Sequence, residues 1–200
     1  MPTSSNTSKT SKTSLSLLQR AARQEPLAWE QFVDLYAPLV HQWTRQRRIE
    51  SHAAADIVQE VFSSLHRSLS RYQSNDSGTF RGWLWAVTRN KILDHLRKET
   101  RQPNATGGST ALLRLGQVSD EHSIPDSDPT TDELQSELLH RAVSQVQGEF
   151  EPRTWQAFWR TVIDGIRTDI VAEELGMKPA TVRQSKSRVL RRLRCQLGEH

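Results

Sequence analysis

The sequence holds a single cysteine, Cys195, in 200 residues, so no disulfide can form within the chain and its scaffold does not depend on oxidation. No apolar run approaches the roughly 18 residues that a membrane-crossing helix needs. The lysines of the N-terminal MPTSSNTSKTSKTS are followed by no apolar segment of the kind a signal peptide carries. A cytoplasmic protein without membrane insertion is expected. There is no glycine-rich phosphate loop and no nucleophile motif, and the seven histidines are scattered without metal-ligand spacing. Enzymatic activity, a bound metal and a cofactor are therefore not expected. Period-two alternation is lacking as well, which argues against strands and for an all-α fold.

Apolar residues recur at helical spacing instead. Leu27, Phe32, Leu35, Leu39 and Val40 form one stripe, and Ile57, Val58, Val61, Phe62, Leu65 and Leu69 another. The turn-rich SNDSG at 74–78 separates these from a further helix that runs to about Lys98. Helical periodicity resumes at Leu134, Leu138, Leu139, Val143 and Val146, then at Trp155, Phe158, Trp159, Val162 and Ile163. Residues 1–14 are nearly all polar and read as a flexible tail, because they cannot offset the entropy of ordering. Residues 101–131 are rich in Gly, Pro, Ser and Asp and read as a linker, within which Leu112, Leu113 and Leu115 can dock transiently. The expected organisation is two small helical domains, 15–100 and 132–200, joined by a flexible acidic linker.

Charge is segregated along the chain. The net charge of +4 hints only weakly at an acidic partner. Lys178 to Arg194, however, contains seven cations and no carboxylate, whereas Gln117 to Glu137 contains seven carboxylates and no Lys or Arg. Such a distribution points to a polyanion-binding end behind an acidic spacer. An acidic spacer tethered to a basic helix can also fold back and mask it.

The basic end has the spacing of a helix-turn-helix. In RTDIVAEELGMKPATVRQSKSRVLRRLR, Ala172 is small enough for one helix to cross close over another, Gly176 suits a left-handed C-cap, and Pro179 suits the first turn of the next helix. Val182, Val189, Leu190 and Leu193 then form the buried side. This leaves Arg183, Gln184, Lys186 and Ser187 projecting outward, residue types that reach base edges in a major groove. Thr181, Arg188 and Arg191 are placed for phosphates. Lys178 stands where Ser, Thr or Asp usually caps such a helix.

The stretch GTFRGWLWAVTRNKILDHLRKE, residues 78–99, is an unusual helix. At 100° per residue Phe80, Leu84 and Val87 share one face, and Trp85, Ile92 and Leu96 another. Between them lies a strip of Trp83, Asn90, Asp94 and Arg97. One aromatic, one amide and charged ends fit the capture of unstacked bases, in which a ring stacks, an amide reads an edge and an arginine holds phosphate.

Together, ADIVQEVFSSLHRSLSRYQ and GTFRGWLWAVTRNKILDHLRK resemble the second conserved region of bacterial sigma factors, and the helix-turn-helix is similar to their fourth. The short acidic linker in place of a middle domain is the arrangement of the extracytoplasmic-function (ECF) subgroup. The resemblance covers about residues 27–99 and 133–194. It implies that the D-x-x-Q-E-x-F positions Asp56, Gln59, Glu60 and Phe62 dock on the β′ coiled coil of core RNA polymerase. It further implies that the strip at Trp83, Asn90, Asp94 and Arg97 recognises and melts a promoter −10 element, with a flipped base near Asn75, Asp76 or Ser77, and that the helix-turn-helix binds the −35 element. An anti-sigma factor is a further partner common in that family. The competing class is a dimeric helix-turn-helix regulator that acts without polymerase on palindromic sites.

Overall fold

Most helix starts among the described residues are marked by a Pro in the first turn or by a hydroxyl cap. In the computed structural model, residues 16–47, 49–72, 79–101 and 124–198 are described, and no strand occurs among them. The fold is all-α. The expected tail 1–14, the loop 74–78, the leucines 112, 113 and 115, and Asp120 and Glu121 lie outside the described residues.

Helix α1 (Leu17–Ala22) opens on a capping box in which the Ser16 hydroxyl accepts from the Gln19 backbone and the Gln19 side chain accepts from that of Ser16. Pro26 sits in the first turn of α2 (Pro26–Arg45), where its missing N–H costs nothing. Helix α3 (Ser51–Ser68) runs into a 3-10 turn at Leu69–Arg71, and α4 (Phe80–Arg101) follows. These elements bury a core rich in aromatics: Phe32, Tyr36, Trp43, Phe80, Leu84, Trp85 and Ile92 are all at most 2% exposed. The rings meet mostly edge to face, as for Trp43 and Trp85 with centroids 5.4 Å apart.

The second group begins at Thr131, whose hydroxyl accepts from Leu134 N and caps α5 (Asp132–Gln147). Asp132 and Glu133 follow in the first turn, where the helix dipole favours negative charge. Then come α6 (Pro152–Val162), α7 (Thr168–Glu174) and α8 (Pro179–Gln196), with Pro again in the first turn of α6 and α8.

The linker departs from expectation in its last quarter. Ile124 is 4% exposed, and the indole of Trp85 donates to the Pro125 carbonyl at 3.0 Å. Arg89 pairs with Asp126 at 2.9 Å, and Arg81 pairs with Asp128. Residues 124–130 are thus docked along α4. A buried isoleucine and two ion pairs supply what the polar composition concealed. The two helical groups also share one continuous core, with Leu134, Leu138, Ala142 and Val146 of α5 joining the cluster built by α1–α4.

Candidate nucleic-acid interface

Helix α7, a turn and α8 form a helix-turn-helix built on a small core of Ala157, Val171, Ala172 and Val182. The turn is a Schellman motif: Gly176 has φ +60°, Gly176 N donates to Glu173 O at 3.2 Å and Met177 N to Ala172 O at 2.8 Å. A side chain at Gly176 would be strained by its backbone, although space exists beside it. Lys178 caps α8 without a side-chain hydrogen bond, and Pro179 takes the first helical position.

Val182, Ser185, Val189, Leu193 and Gln196 form the buried stripe of α8. All seven residues expected to meet duplex DNA, Thr181, Arg183, Gln184, Lys186, Ser187, Arg188 and Arg191, are exposed. The outward strip, centred on Gln184, Ser187 and Arg191, also carries Arg194, which the sequence reading left out although helical spacing from Ser187 and Arg191 points to it. Not every cation in the basic run is free. Arg192 is only 13% exposed and forms a bidentate pair with Glu149, just past the end of α5, both contacts at 2.7 Å, while also donating to Gln196.

On α4 the four strip residues differ in setting. Asn90 and Asp94 are exposed, and Arg97 lies 3.9 Å from Asp94. Trp83 is half-buried, with its ring against Tyr72 (5.0 Å) and Phe80 (5.7 Å). One side of the indole therefore belongs to the core. The docked segment 124–130 covers the line Arg81, Trp85 and Arg89, which is a different face from the strip. Of the acidic run that could fold back on the basic helix, now α8, Asp126 and Asp128 pair instead with arginines of α4, while Asp120 and Glu121 lie outside the described residues.

Helices α3 and α4 enclose an open cleft lined by Asp56, Gln59, Glu60, Ser63, Arg67 and Lys91. Asp56, Gln59 and Glu60 present polar side chains there, with Glu60 paired to Lys91 at 3.3 Å. Phe62 does not join them. It is 8% exposed and packs edge to face on Phe32 and Trp29, so it holds α3 in place and offers a partner no surface. Its spacing from Val61 and Leu65 was the signal for this, since all three share the buried side of a 3.6-residue period. In the second group Trp155 is buried as expected, whereas Trp159 remains 36% exposed at the edge of α6.

Two carboxylates are tuned by these local structures. Glu133 is held below the usual carboxylate range by the Thr131 side chain and by its own backbone N–H. At Asp169, in the first turn of α7, desolvation pushes upward, but hydrogen bonds from backbone N–H groups and the neighbouring Arg167 outweigh it and lower the value.

Residues 32–102 match the family model Sigma-70 region 2. Over 179 residues the chain is 27% identical to ECF RNA polymerase sigma factor SigE of Mycolicibacterium smegmatis, covering 86% of this chain and 63% of that protein. Over 145 residues it is 29% identical to probable RNA polymerase sigma factor RfaY of Xanthomonas campestris pv. campestris, covering 72% of this chain and 34% of that one. The chain therefore spans less than two thirds of the length of these relatives. A likeness to CnrH, solved in complex with the cytosolic domain of CnrY, covers 88% of this chain and 92% of that one at 19% identity, with a TM-score of only 0.35. Residues 32–102, most of the first helical unit, thus match a sigma-70 region 2, and the chain as a whole is similar to bacterial sigma factors of the ECF subgroup.

Proposed function

We propose that this chain is a non-catalytic initiation factor that binds core RNA polymerase and directs it to specific promoters. The match of residues 32–102 to sigma-70 region 2 carries this reading, and the exposed outer face of α8 supports it. Residues 15–100 serve as the unit for polymerase and −10 DNA, 101–131 as the linker, and 132–200 as the −35 unit. Asp56, Gln59 and Glu60, on the wall of the α3–α4 cleft, meet basic residues of the polymerase β′ coiled coil.

At the −10 element Asn90 hydrogen-bonds an unpaired base edge, Trp83 stacks with its uncovered side, and Asp94 and Arg97 border the strand. Strand opening is driven by capture of unpaired bases, without hydrolysis. At −35, Arg183, Gln184, Lys186 and Ser187 read base edges, and Thr181, Arg188 and Arg191 hold phosphates. No helix among the described residues is long and apolar enough to cross a membrane, and the protein works beside the chromosome in the cytoplasm. An anti-sigma factor that covers these faces is the expected form of control.

Run-off transcription with core polymerase and a library of upstream fragments tests the reading. Specific starts that depend on this protein are expected. Absence of such starts, with a shift of palindromic DNA by the protein alone, would replace it with the dimeric regulator.

A further inference from the structure

Asp126 and Asp128 both meet arginines of α4, yet they do different work. The Asp128 side chain is 16% exposed, pairs with Arg81, and accepts from the Thr130 backbone at 3.0 Å and from the Thr130 hydroxyl. With Ile124 in the core and the Trp85 indole on the Pro125 carbonyl, it fixes the segment 124–130 on α4. Asp126 has one partner among the described residues, Arg89 at 2.9 Å, and its side chain is 93% exposed. An ion pair so open to water adds little to stability. The attachment of the second helical unit has other supports: the Tyr36 hydroxyl donates to the Leu197 carbonyl at 3.0 Å, and Gly198 lies so close to Leu18 that a Cβ would collide with it. What Asp126 changes is the state of Arg89.

Arg89 borders the strip proposed for unpaired bases. At roughly 100° per residue it lies beside Asn90, and both are neighbours of Ala86 and Leu93 at a spacing of three or four residues. Ala86 and Asn90 are exposed, so an open surface leads from Arg89 to the strip. The guanidinium is anchored, with Nε donating to the Ile124 carbonyl at 3.4 Å and Nη2 turned to Asp126 Oδ1. A fixed guanidinium suits an oxyanion, and a phosphodiester offers it the same pair of acceptor oxygens as a carboxylate. On the opposite border of the strip, Lys91 is turned into the α3–α4 cleft by Glu60 and belongs to that site.

We propose that Arg89 is a further contact to the backbone of the captured DNA strand, and that Asp126 stands in for a phosphate there while the chain is free. The strand on α4 rests on the sigma-factor reading, whereas the oxyanion site at Arg89 is a property of the free chain. A strand whose bases lie on Trp83 and Asn90 needs a cation along the edge of the strip, and Arg89 supplies it. For a phosphate to take the place, only the Asp126 side chain has to turn aside. Ile124, Pro125 and Asp128 keep their contacts, so the segment stays docked. At 93% exposure the turning side chain gives up no packing. The consequence is a weaker grip on single strands, because binding must displace a carboxylate first.

The test is fluorescence anisotropy of a dye-labelled single strand of mixed sequence with the full chain, across a salt series. Arg89→Gln should weaken binding and lower the slope of log affinity against log salt by about 0.7, the share of one phosphate on a single strand. Asp126→Asn, which keeps the shape of the side chain, should tighten binding about twofold to fivefold, the worth of one exposed ion pair. That gain should vanish in the Arg89→Gln background. Glu137→Gln removes one exposed negative charge on α5 and should leave binding nearly unchanged.

An unaltered salt slope in Arg89→Gln, with intact circular dichroism, overturns the contact. A gain from Asp126→Asn that survives in the double variant, or that Glu137→Gln matches, overturns the stand-in, since net charge alone then accounts for it. If Arg89→Gln fails to fold, the comparison of Asp126→Asn with Glu137→Gln still decides between a site and net charge. In run-off transcription with core polymerase, Arg89→Gln should lose its starts at lower salt than the unmodified chain does, and equal salt tolerance overturns the role at the promoter. No starts from the unmodified chain would sink the sigma-factor reading, while the single-strand measurements still judge Arg89.

Discussion

Helices α4 and α8 are both proposed to meet DNA, yet they are finished to different degrees. Helix α8 is held along one buried stripe, Val182 to Gln196, and its outward face is exposed among the described residues. Helix α4 is gripped by the aromatic core, by Tyr72 against Trp83, by Glu60 on Lys91 and by the docked linker on Arg81, Trp85 and Arg89. A convex, rigid helix suffices to read a preformed major groove. Capturing unstacked bases needs a surface bounded by other elements, so its properties depend on what packs around it.

The sharpest way to separate the two helices is to cut the core beneath α4. Trp85 is fully buried against Trp43, so Trp85→Ala should cost about 3–5 kcal/mol of stability in urea unfolding. The same measurement on Gln184→Ala should show almost no change. That variant should instead lose about 1–3 kcal/mol of discrimination between −35 sequences in competitive binding, because it removes an exposed side chain proposed to read a base edge and no packing. A core loss from Gln184→Ala, or none from Trp85→Ala, would undo the contrast.

Within α8 the neighbours Arg191 and Arg192 make a finer comparison. Arg192→Ala breaks a bidentate pair and frees a buried Gln196, so it should destabilise the fold by about 1 kcal/mol once its partly exposed partner Glu149 is allowed for. Arg191→Ala should leave stability alone and lower the salt slope of DNA binding by about one unit. The smallest effect concerns pH. Glu133 and Asp169 have lowered pKa values in the fold, so each contributes stability that is present above its unfolded pKa and lost as pH falls through the lower folded one. Acid unfolding of Glu133→Gln should therefore lack a small component below the usual carboxylate range.

The helix-turn-helix was legible because its information is local. Ala172, Gly176 and Val182 each answer a backbone or packing requirement a few residues away, and the Schellman turn formed as the glycine implied. The inner face of α4 was legible for the same reason, through the period that buries Phe80, Leu84, Trp85 and Ile92. Phe62 was placed twice, in the apolar stripe of α3 by its spacing and at the polymerase contact by resemblance, and the fold puts it in the stripe. Trp83 stands between the two cases: its position on a strip follows from spacing, but Tyr72 covering part of its ring does not.

By itself the amino-acid order determined an all-α chain with capped and proline-started helices, a helix-turn-helix and an exposed basic face on α8. The tertiary structure alone decided that Asp126 and Asp128 answer arginines of α4, that Arg192 is withdrawn from the basic face, and that Gly198 closes the chain against Leu18. Periodicity and capping act over one or two turns. Arg81 and Asp128 are 47 residues apart and Tyr36 and Leu197 are 161 apart, and contacts over such separations follow only from how the helices pack.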